Sequence, residues 1–193
     1  CDSPRALRMT APVQGLDVPA HVLVTGASSG IGLAMVDALL GNPTVARVFA
    51  VSRTASDSEA LSVLQARHGA RLQPVSADLT TDAGLDAIVG GVRAGGDDLH
   101  LVVNCAGVLH GDGLRPEKSL ATLDRDALER SFALNAFAPV LLVRALLPLL
   151  TPNAPRVVAS LSARVGSIGD NRLGGWYAYR DPRPRRTTCW GRR

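Results

Sequence analysis

The stretch VLVTGASSGIGLAM, residues 22–35, constrains the fold more tightly than any other part of the chain. Branched apolar residues run up to Gly26, and Gly30 and Gly32 follow as an apolar helical pattern begins. HVLVTG (21–26) reads as a buried strand. Residues 30–40 read as a helix on which Ile31, Met35, Ala38 and Leu39 share one face. Glycines at such a junction permit a tight turn and let backbone N–H groups approach a pyrophosphate, with the positive end of the helix dipole behind them. Ser28 and Ser29 add hydroxyl donors. A glycine-rich stretch can be an ordinary loop, but one placed between a strand and a helix points to dinucleotide binding. It is not a Walker A loop, because no lysine follows the last glycine.

The same alternation continues to residue 162. VARVFAVS (45–52), RLQPVSAD (71–78), DLHLVVNCAG (98–107) and RVVASLS (156–162) read as strands, separated by helical stretches near 56–67, 82–93 and 125–147. Pro74 puts the third strand at an irregular or less central pairing position. Apolar strands alternating with helices predict an α/β fold, a Rossmann-like doubly wound parallel sheet covered on both faces. Ligands of such sheets bind beyond the carboxyl ends of the strands, which is where this sequence concentrates Gly, Ser, Asn and Asp.

The 193 residues suit one domain with a sizeable core, at 46% apolar and 20% charged. We divide them into a flexible N-terminal extension (1–19, with Met9 a candidate start), the sheet domain (20–180) and a basic, disordered tail (181–193). Cys1, Cys105 and Cys189 form no C-x-x-C pair, which favours a reducing cytoplasm over a disulfide framework. The four histidines lack ligand spacing, so no metal site is expected. Residues 132–150 are the longest apolar-rich run, but Asn135 and Arg144 interrupt it and it reads as a buried helix rather than a membrane span. The N-terminus lacks the apolar core of a secretory signal. Six of the 21 basic residues, all arginine, fall in 180–193 with one aspartate; the other 15 basic and 16 acidic residues nearly cancel. Such a tail can bind phosphates nonspecifically, but no nucleic-acid reader motif accompanies it.

In detail, TGASSGIG resembles the T-G-x-x-x-G-x-G turn of short-chain dehydrogenases/reductases. Asp78-Leu79 after the third strand, Asn104-Cys105-Ala106-Gly107 after the fourth and Asn135 in the long helix follow in that family's order. SARVGSIGDNRLGGWYAYR (162–180) is similar to the carbonyl-reductase branch that contains sniffer and the bacterial C-factor. The resemblance covers about residues 20–180. It implies that Gly26, Ser28, Ser29, Gly30, Ile31 and Gly32 cradle the cofactor and that Asp78 contacts its adenine, with the Leu79 backbone assisting. Asn104, Ala106 and Gly107 would border the cofactor and stabilise the central sheet. Two plainer readings stay open: Asp78 as a helix cap, and Asn104 as a partner for backbone groups.

An acidic residue about 20 residues past the glycines would hold the ribose 2′-OH of NAD, whereas arginine accommodates the 2′-phosphate of NADP. Here the second strand ends Ser52-Arg53-Thr54, with no carboxylate before Asp57. A guanidinium can bind the phosphate in bidentate fashion. NADP(H) is the expected cofactor, with NAD(H) the alternative and a solvated surface charge the plainer role for Arg53.

The resemblance further implies hydride transfer to a small-molecule carbonyl, or from the corresponding alcohol, with Tyr179 as proton donor. Ser162 or Ser167 would orient the carbonyl; strand register favours the first and distance to Tyr179 the second. Asn135 would anchor a water relay, or simply bond one helix to another. The family's Tyr-x-x-x-Lys pair is incomplete, since position 183 is Arg and the only lysine is Lys118. Pro182 and Pro184 also oppose a helix there. We read DPRPRRTTCWGRR (181–193) as a changed coding frame after Arg180, with a naturally truncated splice or fragment form the alternative and, on either, the family's C-terminal strands and helices missing. On that reading the sheet loses apolar cover, and a homodimer through the long helix is weakened. The competing reading is a dinucleotide-binding remnant without catalysis.

Overall fold

The computed structural model describes residues 11–96, 98–109, 117–150, 154–163 and 177. Five strands form one parallel sheet: β1 (Ala20–Thr25), β2 (Val45–Ser52), β3 (Leu72–Ser76), β4 (Leu101–Asn104) and β5 (Val157–Ser160). Their order is β3-β2-β1-β4-β5, so the chain winds outward from β1 to one edge and then restarts beside β1. That reversal is the crevice where such sheets bind ligands. The doubly wound arrangement is therefore the one the alternation predicts. Pro74 lies in β3 at the sheet's edge, opposite Ala50, where its missing N–H is least costly.

Strand periodicity sorts the core into two layers. Val22 and Val24 of β1, Val48 and Ala50 of β2, and Leu101 and Val103 of β4 face α1 (Gly30–Leu40) and α2 (Glu59–His68), meeting Val36, Leu40, Leu61 and Leu64. Leu23, Phe49, Val51 and Val102 face the other way, toward α3 (Asp82–Ala94) and the long helix, meeting Ile88, Val92, Leu142 and Leu146. Every strand except the outermost pair is thus apolar on both faces, as a covered parallel sheet requires. Val13 and Leu16, within the stretch read as a flexible extension, are buried in the first layer. Residues 1–10 and 181–193 lie outside the described residues.

Two sequence expectations change. Helix α1 buries Gly32, Val36, Leu39 and Leu40, while Ile31 is 66% exposed. The apolar character of this helix runs almost all round it, so periodicity alone could not choose the face. The long helix is also not uniform. It runs as α4 (Arg125–Phe132), a π-helical turn (Ala133–Phe137) and α5 (Ala138–Leu146). Pro139 has no N–H, so the α-type bond to the Asn135 carbonyl cannot form, and the wider turn accommodates the loss. Phe132 and Phe137, five residues apart, meet across it as tilted rings with centroids 6.3 Å apart. The span Arg125–Leu149 is long and apolar enough to cross a membrane by length and composition. Ala138, Leu142, Leu146 and Leu149 instead bury against the sheet.

Candidate functional site

The turn between β1 and α1 is fixed by steric necessity at two glycines and left open at the third. Gly26 has φ +66°, and a Cβ there would lie 2.9 Å from the Ala106 nitrogen. A Cβ on Gly32 would come within 2.1 Å of the Gly26 carbonyl oxygen. The turn is therefore pressed between the start of α1 and the loop after β4. Gly30 also has a positive φ, +53°, but a Cβ there would meet nothing within 4 Å. Its surroundings are open on the side where a ligand of the turn would approach.

The N-terminus of α1 differs electrostatically from those of α2, α3 and α4. Ser58, Thr81 and Asp124 cap α2, α3 and α4 with side-chain oxygens, and Glu59, Asp82 and Asp126 place a carboxylate in each first turn. At α1 the N-cap Ser29 makes no such bond and the first turn holds no acid. The helix dipole and first-turn N–H groups at α1 are left for an external anion. Ser28 is half-buried, and Ser29 and Ile31 are exposed beside this end.

Behind the turn, the strand ends are tied together. The Thr25 hydroxyl donates to Asn104 Oδ1 and accepts the Ala106 N–H at 3.2 Å. The Asn104 carbonyl accepts the Leu161 N–H at 2.9 Å. Asn104 thereby joins β1, β4 and the chain leaving β5, and Ser162 is the next residue along, half-buried. Gly107 is exposed at the crevice. Burial pushes the Cys105 thiol pKa up, away from the reactive thiolate.

Asn135 sits in the π turn, only 4% exposed. Its Oδ1 accepts the Val108 N–H at 3.0 Å, and its Nδ2 donates to the Val108 carbonyl at 2.9 Å and to Ser131 Oγ at 3.0 Å. Both amide hydrogens are used, and the bonds run from the helix to the loop after β4. The residue holds that loop against the long helix.

At the far end of the crevice, Asp78 Oδ1 accepts from the Thr80 N–H at 2.8 Å and the Thr80 hydroxyl at 2.7 Å. These bonds, the side-chain one first, and to a lesser extent the Arg53 charge hold the Asp78 carboxyl below its usual pKa, against a small opposing effect of burial. Asp78 is not the cap of α3, which is Thr81, so it closes a local turn instead. A Cβ on Gly84 would lie 1.9 Å from the Asp78 carbonyl oxygen, so α3 seats directly on this turn. Leu79 is buried and Arg53 exposed.

The structure thus brings Gly26, Ser28, Ser29, Gly30, Ile31, Gly32, Arg53, Asp78, Leu79, Asn104, Ala106 and Gly107 to the carboxyl ends of the strands. Ser167 and Tyr179 lie outside the described residues. Sequence reasoning overlooked Thr25, Thr80 and Ser131, which orient Asn104, Asp78 and Asn135. The only signal was position: each hydroxyl lies one, two or four residues from a glycine or acid already singled out, or from the helix asparagine. The donor set fits a dinucleotide, with an open glycine, an uncapped helix start and a cation where the second strand ends.

The family model for short chain dehydrogenases matches residues 20–179. A short-chain dehydrogenase of Pyricularia oryzae is 35% identical over 151 residues, covering 76% of this chain and 58% of that protein. A carbonyl reductase from Pseudomonas aeruginosa, solved in complex with NADP, is 31% identical with a TM-score of 0.73, over 86% of this chain and 71% of that one. An NADPH-bound carbonyl reductase from chicken fatty liver is 29% identical, also with a TM-score of 0.73, over 86% and 66%. The chain spans about half the length of the curated relatives it matches. From the glycine turn to the strand order, the chain belongs to the short-chain dehydrogenase/reductase family, in the branch of the carbonyl reductases.

Proposed function

We propose that the chain binds NADP(H) and belongs to an oxidoreductase that reduces a small carbonyl compound to its alcohol. The observation that carries this reading is the open, uncapped start of α1 at Gly30, with Arg53 rather than a carboxylate beyond β2. NADPH, when bound, supplies the hydride. The chain's own residues do the rest. The α1 N–H groups and the Ser28 and Ser29 hydroxyls hold the pyrophosphate, and Arg53 neutralises the 2′-phosphate. Asp78 and Leu79 border the adenine, and Asn104, Ala106 and Gly107 line the crevice toward the reacting end. Ser162 or Ser167 orients the carbonyl, Tyr179 donates its proton to the developing alkoxide, and Asn135 anchors the proton supply.

A second reading, NADP(H) binding without turnover, is favoured by Arg183 standing where the family has lysine, between Pro182 and Pro184. An arginine supplies charge but does not release its proton near neutrality. One experiment separates the readings. NADPH is titrated by its fluorescence, and consumption of NADPH is followed with a reactive dicarbonyl. Saturable binding with turnover supports the reductase, binding alone supports the second reading, and no binding overturns both. A homodimer through the exposed Phe137, Val140 and Leu147 of the long helix belongs to the same proposal, tested by sedimentation.

A further inference from the structure

Resting on the NADP(H) reading, we infer that Ser76 is the positioning residue for selectivity between NADP(H) and NAD(H), through its hold on the loop that carries Arg53. Ser76 ends β3 and is the register partner of Ser52, the last residue of β2. The next peptide confirms the pairing, since the Ala77 N–H donates to the Ser52 carbonyl at 2.9 Å. The chain then leaves β2 through Arg53, Thr54 and Ala55 and returns to the same serine. The Ser56 N–H donates to Ser76 Oγ at 2.9 Å, and the Ser76 hydroxyl donates to Ser56 Oγ, also at 2.9 Å.

Residues 53–55 therefore form a short loop with both ends pinned at one place on β3. Its last residue is anchored as well, because Ala55 is 1% exposed and packs in the first core layer. The only side chains this loop presents to solvent are Arg53 and Thr54. A guanidinium on a four-bond stem selects for a 2′-phosphate only if its base is held in place; on a loose loop the same charge becomes a screened surface charge. Ser76 supplies that restraint while lying on a different strand from the arginine. It accepts one bond and donates another, so both functions of its hydroxyl are used, and alanine would remove both.

The test compares Ser76→Ala, Ser76→Thr and Arg53→Ala with the parent chain. Dissociation constants for NADPH and NADH are measured by fluorescence, and those for 2′,5′-ADP and 5′-ADP by competition. Ser76→Ala is expected to weaken NADPH and 2′,5′-ADP by about 5-fold, the net worth of one of its two lost hydrogen bonds since water replaces part of them at this exposed site, while NADH and 5′-ADP stay within about 2-fold. Ser76→Thr, which keeps the hydroxyl and suits a strand, is expected to bind like the parent. Parallel weakening of NADPH and NADH, or failure of threonine to rescue, would overturn the inference by making Ser76 merely structural. So would an unchanged NADPH-to-NADH ratio in Ser76→Ala alongside a lowered ratio in Arg53→Ala. If Arg53→Ala also leaves the ratio unchanged, the NADP(H) reading itself has failed and the inference falls with it.

Discussion

Alanine at Gly30 and at Gly32 should produce opposite phenotypes, although the two positions are two residues apart in one turn. At Gly32 the new Cβ would stand 2.1 Å from the Gly26 carbonyl oxygen and 2.7 Å from its carbon. Ordinary contact begins more than 1 Å further out, and the obstacle is backbone, so no rotamer change relieves it. Helix α1 would have to back away from the turn while Val36, Leu39 and Leu40 stay anchored in the core. Overpacking of this kind costs about 1–3 kcal/mol, and rigid backbone on both sides puts Gly32→Ala near 3. At Gly30 the Cβ meets nothing, and the penalty is only that of a left-handed residue, about 1 kcal/mol. On the proposed reading that methyl, however, occupies the face a phosphate would approach, and losing one charge-assisted contact there costs about 10- to 100-fold in affinity. Urea unfolding followed by circular dichroism reads the first effect, and NADPH fluorescence titration of the folded variants the second. A Gly30→Ala protein that binds NADPH like the parent would refute the cradle, and a Gly32→Ala protein of parental stability would refute the packing argument.

Arg53→Glu should invert selectivity, weakening NADPH by more than about 10-fold while NADH binding holds, because a carboxylate repels the 2′-phosphate; parallel titrations of the two cofactors check it. Asn135→Ala leaves the Val108 N–H and carbonyl and the Ser131 hydroxyl without this partner. It should cost about 2–4 kcal/mol, read as a lower urea midpoint. Burial first, and then the neighbouring His21, hold His100 below its ordinary pKa of 6.5, against a pull upward from Asp98. The unfolded chain therefore takes up the proton first, so this contribution is intact above about pH 6.5 and is lost as pH falls through the folded value. In the fold, His100 Nδ1 accepts the His21 N–H at 3.2 Å, a bond that protonation abolishes. Urea midpoints between pH 5 and 8 should fall on the acid side, and His100→Asn should flatten that slope.

The strands were legible because burial on both faces leaves little choice of residue: β2 runs Val45–Ser52, as its apolar run indicates. Where polar residues flank a strand, its length was overread. DLHLVVNCAG shrinks to Leu101–Asn104, because Asn104 turns its side chain to Thr25 and the following residues leave the sheet for the crevice. The buried face of α1 was misjudged because Ile31, the most apolar residue of its first turn, lies on the site rather than in the core. Candidate site residues whose proposed part follows from their residue type, such as Gly26 and Gly30, could be read from the sequence. Those that act through another residue, such as Thr25, Ser131 and Ser76, could not, since their partners lie between 4 and 79 positions away.

On the proposed function, binding and proton transfer draw on different parts of the chain, which makes them separable. The residues proposed to grip the dinucleotide sit at strand ends whose registers are fixed by parallel pairing and by a core filled from both sides. On the proposed reading, proton donation would rest instead on Tyr179 and on whatever lowers its pKa, since a free tyrosine titrates near 10. An arginine keeps its proton throughout the working pH range, so Arg183 could favour the tyrosinate but not pass a proton on. By sequence, Pro182 and Pro184 oppose a helix there, since proline has no N–H to donate and disfavours helical geometry in the residue before it. Arg183→Lys alone should therefore raise turnover by less than about 3-fold. Adding Pro182→Ala and Pro184→Ala would let the amine take its place one helical turn beyond Tyr179. General acid catalysis is worth about 100- to 10,000-fold, so the triple variant should recover a substantial part of that range. NADPH affinity should stay constant throughout the series. A full gain from Arg183→Lys alone would show that the prolines do not matter, and a change in affinity across the series would show that the two ends of the site are coupled after all.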